Sequence, residues 1–138
     1  MINDPSWMNF GASLWTAIAL FVGACTGEAP PPELVELAVE SSRTSAELSD
    51  WYNSCEEADP ARTISEASAR CMAAFGAEDP VTFRAYHLAL QGYNEDVIRC
   101  LMSVSCPERP TRCRFAPPEI VMTPPDLILE AGVECAEL

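Results

Sequence analysis

The number and positions of its cysteines restrict the folds open to this chain. The sequence has seven cysteines in 138 residues. Cys25 stands apart from the other six, which lie within the last 84 residues at Cys55, Cys71, Cys100, Cys106, Cys113 and Cys135. An even number of cysteines in a small domain favours a disulfide framework. No C-x-x-C pair or C-x-x-C-H haem motif is present and the chain has one histidine, so we predict three disulfides, no metal site and no cofactor.

An uncharged apolar run leads up to Cys25. Residues 10–24 read FGASLWTAIALFVGA, which matches the apolar region of a signal peptide better than a full membrane span of about 20 residues. The end of the run, Val22-Gly23-Ala24-Cys25, resembles the lipobox of bacterial lipoproteins, in which a branched aliphatic residue and two small residues precede the lipidated cysteine. The resemblance implies that residues 1–24 are a cleaved signal peptide and that Cys25 carries the lipid.

The residues before this run support a second interpretation. They include Asp4 and no basic residue, whereas a signal peptide normally opens with lysine or arginine. Residues 1–24 are then a single membrane helix with Trp7 and Trp15 at the interfaces. A helix buried in a cytosolic domain is a third interpretation. The first two both predict a bacterial cell-envelope protein that is bound to the membrane by a lipid anchor or an N-terminal helix, with its domain on the periplasmic or extracellular side.

Acidic residues greatly outnumber basic ones. The chain has 21 acidic and 8 basic residues and a net charge of −13, and the leader contributes only Asp4. Nucleic acid is therefore excluded as a partner, because its phosphates would be repelled. All eight basic residues are arginine, which excludes lysine Schiff-base chemistry and P-loop phosphate binding.

Apolar residues at helical spacing predict about four helices after a proline-rich tether at residues 25–32. Together with capping signals, this spacing places the helices over 33–55, 64–75, 80–91 and 95–105. Thr63 and Glu66 match a capping box at the start of the second helix. Gly92 is expected to end the third helix, and Asn94 is expected to cap the fourth.

The last third of the chain is broken by prolines. Those after Cys106 stand at 107, 110, 117, 118, 124 and 125, which predicts an irregular arm of extended or single-turn segments. The fold prediction is thus all-α: a small disulfide-stapled helical bundle or array over residues 33–138, with a proline-rich irregular C-terminal arm and an N-terminal hydrophobic leader helix. Short gaps between helices favour antiparallel neighbours. Cys71 and Cys100 lie near predicted inner faces, so we expect them to be bonded to each other.

His87 is the first candidate for chemistry in the domain. Tyr86 lies beside it and Asp79 upstream, but a general base needs an oriented partner and a nucleophile within reach, and no motif supplies them. His87 shares a helical stripe with Phe83 and Leu90. We therefore interpret it as a hydrogen-bonded structural residue and assign no catalytic residue.

Two charged clusters remain to be interpreted. The acids Glu56, Glu57 and Asp59 lack the D-x-D-x-D-G pattern of a calcium loop, so they are interpreted as loop solvation, and Glu78 and Asp79 as a helix cap. The arginines at 109, 112 and 114 could hold an anionic group, but in so acidic a chain they are interpreted as neutralising the protein's own carboxylates.

These observations predict a function only by class. The first hypothesis is a membrane-anchored, exported interaction or structural module without catalytic activity, with other membrane or envelope proteins as partners. The alternative is a single-span accessory subunit of a larger membrane protein complex with a non-cytoplasmic domain. The small residues Gly11, Ala12, Ser13 and Ala17 would let the leader pack among other membrane helices. An enzyme is the third hypothesis.

Overall fold

The computed structural model describes residues 28–138, and most of these residues are helical. The helices are α1 Pro32–Asn53, α2 Glu66–Gly76, α3 Pro80–Ser103, α4 Arg109–Arg112, α5 Glu119–Met122 and α6 Asp126–Cys135, with a 3-10 turn at Cys106–Glu108. The described residues contain no strand, so the predicted all-α class is confirmed for them. The predicted leader helix and Cys25 lie outside the described residues.

α1 begins directly after the proline tether. Pro31 has the extended backbone of a polyproline segment, with φ −52° and ψ 129°. Pro32 occupies the first turn, where the missing N–H has no helical partner to lose. The helix predicted over 33–55 is therefore present and ends at Asn53.

α2 starts two residues later than the predicted capping box would place it. Ser65 is the N-cap, and its Oγ accepts a hydrogen bond from the backbone N–H of Ser68 at 3.0 Å. The backbone N–H of Ile64 instead donates to Ser42 Oγ of α1 at 2.8 Å. This contact between the segment and α1 holds residue 64 outside the helix, so the cap predicted at Thr63 was wrong.

α3 is one continuous helix where two were predicted. It begins as expected, with Asp79 Oδ1 accepting from the backbone N–H of Thr82 at 3.2 Å. It then passes through Gly92 and Asn94 without interruption. A glycine inside a helix costs only about 1 kcal/mol, and buried residues on both sides of Gly92 are held against the rest of the domain. The predicted break at 92–94 was therefore wrong.

The C-terminal arm is more helical than its prolines indicate. Single turns at Arg109–Arg112 and Glu119–Met122 fit the prediction, but α6 is a ten-residue helix. Pro125 lies just before the first turn of α6, where proline is tolerated. Beyond that residue, Ile128, Ala131 and Cys135 recur at helical spacing and are buried.

α1 and α3 run parallel to each other. Glu33 pairs with Arg84, Ser41 contacts His87 and Thr44 accepts from Asn94, so partners on α3 advance as α1 advances. α2 runs in the opposite direction, because it starts beside the middle of α1 and ends beside the first turns of α3. The antiparallel arrangement expected from short loops thus holds for α1 and α2, whereas the largest interface, between α1 and α3, is parallel.

Three disulfides join the helices to the loops and to the arm. Cys55 is bonded to Cys106, Cys71 to Cys135, and Cys100 to Cys113. The predicted Cys71–Cys100 pair was wrong. Cys71 faces α6, since Ser68 of the same helix donates to the carbonyl of Cys135 at 2.6 Å. Because α3 continues to Ser103, Cys100 lies in its last turn and faces the loop that follows.

Candidate functional site: a polar seam beside an uncharged groove

The interface between α1 and α3 has apolar ends and a polar middle. One apolar cluster includes Leu34, Ala38 and Phe83, and the other includes Val97 and Leu101. Between them lie five polar residues that we call the polar seam: Ser41, Thr44, His87, Gln91 and Asn94. All but Gln91 are buried. Buried polar groups are costly unless they find hydrogen-bond partners, so their pairing decides what the seam can do.

His87 and Ser41 form the centre of the polar seam. Nδ1 of His87 lies 2.8 Å from Ser41 Oγ, and the Nε2 amide of Gln91 donates to the same hydroxyl at 3.3 Å. The ring of His87 also packs on Phe83, with the ring centroids 4.2 Å apart. The serine is thus the hydrogen-bond partner that positions the imidazole between the helices.

Asn94 extends the polar seam by one turn. Its Nδ2 donates to Thr44 Oγ1 at 3.2 Å and to Ser45 Oγ at 3.0 Å. Thr44 in turn donates from its hydroxyl to the carbonyl of Ser41 at 3.0 Å. Such pairings are satisfied in one register of the two helices, so the seam fixes how α1 and α3 align.

The Ser41 and His87 pair does not have the geometry of a nucleophilic triad. In a triad, one ring nitrogen contacts the serine and the other an orienting carboxylate. Here Nε2 of His87 has no hydrogen-bond partner among the described residues. Ser41 is 3% exposed and His87 2%, so only a small edge of either side chain reaches the surface. The arrangement therefore supports packing and alignment of the helices.

Burial keeps His87 uncharged. Removal of the ring from water lowers the pKa of His87 from 6.5 to about 4, because the charged form loses hydration without gaining a carboxylate. Burial also raises the pKa of the neighbouring Tyr86 phenol. Both side chains are consequently neutral at physiological pH.

An open groove of about 420 Å³ lies beside the polar seam. We call it the groove; it is bounded by α1, α3 and α6, by Ile64 just before α2 and by Met72 within α2. Ser41, Ser42 and Ser45 line it from α1, together with His87 from α3, and the rest of its lining is mostly apolar. Leu129 and Val133 on α6 form its rim and are 52% and 77% exposed. The apolar surface therefore continues from the groove onto the outside of α6.

The groove is uncharged in a strongly acidic protein. Its lining residues are Ala38, Ser41, Ser42, Ser45, Ile64, Met72, Tyr86, His87, Leu90, Pro124, Ile128, Leu129, Gly132 and Val133. None of them is aspartate, glutamate or arginine, although the chain has 29 such residues in total, 21 acidic and 8 basic. A ligand for this surface would meet apolar side chains and a few hydroxyl groups, which is the composition of sites for apolar partners.

The acidic candidates lie away from the groove. Glu56, Glu57 and Asp59 are exposed in the loop after α1. Asp79 caps α3, and its hydrogen bonds to the hydroxyl and backbone of Thr82 lower the pKa of its carboxyl group. Within residues 28–138, no cluster of three or more histidine, cysteine or acidic side chains is placed to hold a metal ion.

Two arginines of the cluster, Arg112 and Arg109, make different kinds of contact. Arg112 lies 3.9 Å from the carboxylate of Glu108, as expected for neutralisation of the protein's own acids. Arg109 instead donates to the backbone carbonyl of Trp51 at 3.0 Å and to Ser54 Oγ at 2.6 Å. Its guanidinium also lies over the Trp51 ring, 5.4 Å from the centroid. Arg109 therefore ties the 3-10 turn and α4 to the end of α1.

Only part of this site could be predicted from the sequence. The serine and alanine face of α1 predicts either close packing or solvation, and the structure shows close packing with hydrogen bonds to α3. The groove was not predicted, because it depends on α6, whose helical extent the prolines concealed. A helical spacing of Ile128, Ala131 and Cys135 was the signal that could have revealed it.

Two further observations bear on function. No helix among residues 28–138 is long and apolar enough to cross a membrane. Comparison with protein-family models, with curated proteins and with solved structures finds no match to this chain. A function must therefore be argued from the chain's own residues.

Proposed function

We propose that this protein is an exported, membrane-anchored interaction module whose groove binds an apolar segment of a partner protein in the cell envelope. The observation that carries the interaction role is an uncharged groove in a chain of net charge −13. Burying charged groups at an interface costs free energy, whereas apolar surface is stabilised by leaving water. The complementary partner is therefore an uncharged apolar segment.

A protein segment fits this surface better than an enclosed small molecule. Sites for small molecules surround most of the ligand. The groove is open, and its apolar surface continues over Leu129 and Val133. Exposed apolar surface of this kind is typical of contacts between proteins.

Export is supported by the cysteines. Three disulfides within 138 residues are typical of proteins in oxidising compartments. The anchor is proposed from Val22-Gly23-Ala24-Cys25, which resembles a lipobox. Two or more acyl chains on Cys25 would be enough for stable membrane binding, since one chain binds only marginally.

Intact mass of the membrane-extracted protein tests the anchor. A mature chain beginning at Cys25 and carrying acyl chains would support the lipoprotein. An unmodified chain beginning at Met1 would exclude it and favour the single-span accessory subunit. That alternative also requires the protein to purify with the other subunits of a complex.

Filling the groove tests the binding site. A Cβ at Gly132 or at Gly92 would meet no atom within 4 Å, so either helix should accept a larger side chain. Gly132 lines the groove and Gly92 does not, which makes Gly92→Leu a matched control for Gly132→Leu. The uncharged dye Nile red should fluoresce with the wild type and Gly92→Leu and much less with Gly132→Leu. Equal fluorescence in all three would overturn the binding role of the groove.

Crosslinking tests the nature of the partner. A photoreactive amino acid at Val133, on the rim of the groove, should give a discrete adduct with an envelope protein in cells. The adduct should be lost when Gly132→Leu is added and kept with Gly92→Leu. The same photoreactive residue at Val81, which is 79% exposed outside the groove, should not give it. An adduct that Gly132→Leu leaves intact would contradict the proposal.

A further inference from the structure

The disulfide between Cys55 and Cys106 differs from the other two in its exposure. Both of its cysteines are exposed. By contrast, Cys113 and Cys135 are buried, so each of the remaining disulfides has one shielded sulfur. A thiolate must approach a disulfide along the S–S axis to react with it, and access therefore controls which bond opens first.

Arg109 contacts this exposed disulfide directly. Its Nη1 lies 3.1 Å from Cys55 Sγ, and the same nitrogen is fixed by the carbonyl of Trp51 and the hydroxyl of Ser54. The guanidinium is thus positioned on one sulfur of the pair before any reaction. A cation held beside a sulfur stabilises the thiolate that forms there when the bond breaks.

We propose that the Cys55–Cys106 disulfide is a thiol–disulfide exchange site that takes a small-molecule thiol onto Cys106. The thiolate of the small molecule attacks Cys106 Sγ and forms a new S–S bond there. The bond to Cys55 breaks, and its electron pair leaves on Cys55 Sγ as a thiolate beside Arg109. One thiolate and one disulfide become another thiolate and another disulfide, so the step needs no external oxidant or reductant.

The fold can undergo this step without opening its core. Cys71–Cys135 and Cys100–Cys113 remain closed, and Arg109 still connects its turn to the end of α1 through Trp51 and Ser54. The proposal depends on neither the groove nor the membrane anchor.

Exchange with reduced glutathione under native conditions tests the proposal. After acid quenching and alkylation of free thiols, peptide mapping of the full-length protein should place glutathione on Cys106 and the alkyl group on Cys55. The other two disulfides should still be closed at that time. First opening of Cys71–Cys135 or of Cys100–Cys113 would overturn the proposal.

Substitution of Arg109 tests the role assigned to its charge. Arg109→Gln should slow the exchange roughly tenfold, the effect of losing one charge-assisted hydrogen bond at a partly exposed site. It should also spread the glutathione over both cysteines, because the preference for Cys55 as leaving group is lost. Arg112→Gln removes the same charge from the same cluster and should leave rate and position unchanged.

A charge-conserving variant separates this effect from loss of structure. Arg109→Lys should recover most of the rate even if the hydrogen bonds to Trp51 and Ser54 are impaired. A variant that is merely loosened would expose the other two disulfides, which the same peptide maps detect. If Arg109→Gln and Arg112→Gln exchange at the same rate and at the same cysteine while Cys71–Cys135 and Cys100–Cys113 stay closed, Arg109 does not direct the reaction.

Discussion

The buried histidine makes the stability of this protein depend on pH in a defined direction. The pKa of His87 is about 4 in the folded chain, compared with 6.5 for an ordinary histidine. Between pH 6.5 and about pH 4 the imidazole of His87 is therefore mostly protonated in the unfolded chain and mostly neutral in the folded chain. The contribution of neutral His87 to the free energy of unfolding is fully present above pH 6.5 and is lost as the pH falls toward 4.

The size of this effect follows from the two pKa values. Between about pH 7.5 and about pH 5 the unfolded state gains nearly one proton at His87, so the free energy of unfolding should fall by about 2 kcal/mol. Over the whole window the loss is about 3 kcal/mol. The carboxylates of Glu40 and Asp79 have lowered pKa values, so they titrate mainly below this range.

His87→Gln isolates the contribution of the imidazole. Glutamine is similar in size, can hydrogen-bond to Ser41 and does not titrate. Urea unfolding of the disulfide-intact protein at both pH values should show a loss in the wild type that is about 2 kcal/mol larger than in His87→Gln. Because the carboxylates are common to both proteins, the difference between the two slopes belongs to His87.

NMR titration measures the folded-state pKa of His87 independently of unfolding. The chain has one histidine, so its C2 proton gives a single assignable NMR resonance in the folded protein. That resonance should titrate far below pH 6.5. A folded-state pKa near 6.5 would show that His87 is solvated or gains a charged partner. The same conclusion would follow if the free energy of unfolding fell equally with pH in the wild type and in His87→Gln.

Three further predictions concern the helices. Gly76→Ala would place a Cβ 2.5 Å from the ring of Phe83, which is fully buried, so the melting temperature should fall, with a cost of about 1–3 kcal/mol. Gly92→Ala, whose Cβ meets nothing within 4 Å, should instead raise stability by up to about 1 kcal/mol; a fall for both would contradict the packing. Hydrogen exchange should find the amides from Gly92 to Glu95 protected, and rapid exchange there would mean that α3 is broken.

Local signals predicted where several helices begin. Pro32 and Asp79 mark the starts of α1 and α3 because first-turn proline and an aspartate cap act within a few residues of the chain. The start of α2 was misplaced because a residue of α1, Ser42, takes the backbone N–H of Ile64. Thr63 has a local capping pattern, but a local pattern contains no information about a competing acceptor 22 residues away.

The continuity of α3 depends on tertiary contacts. Gly92 and Asn94 form a local stop and start signal, and each has a modest energetic effect. Asn94 is instead buried inside the helix, where it donates to the hydroxyls of Thr44 and Ser45 on α1. A pattern in one segment cannot show that partner, so the sequence favoured a break.

The disulfide pairing follows from the direction of the helices. α2 returns the chain from the middle of α1 to the start of α3, so α1 and α3 end on the same side of the domain. Cys55, just after α1, is therefore brought next to Cys106, just after α3. An error in the length of α3 moves Cys100 to the wrong place, which is why the Cys71–Cys100 prediction failed with the predicted break.

The polar seam explains why this direction is maintained. Apolar contacts at the two ends of the α1 and α3 interface would tolerate a shift of one helix along the other, because apolar packing is not directional. Ser41 with His87 and Thr44 with Asn94 would not, because a shift of one turn leaves buried polar groups unpaired. The polar seam, whose Ser41 and His87 pair resembles part of a catalytic site, is therefore better explained as the element that sets the register of α1 and α3. The same register brings the Cys55–Cys106 disulfide within reach of Arg109.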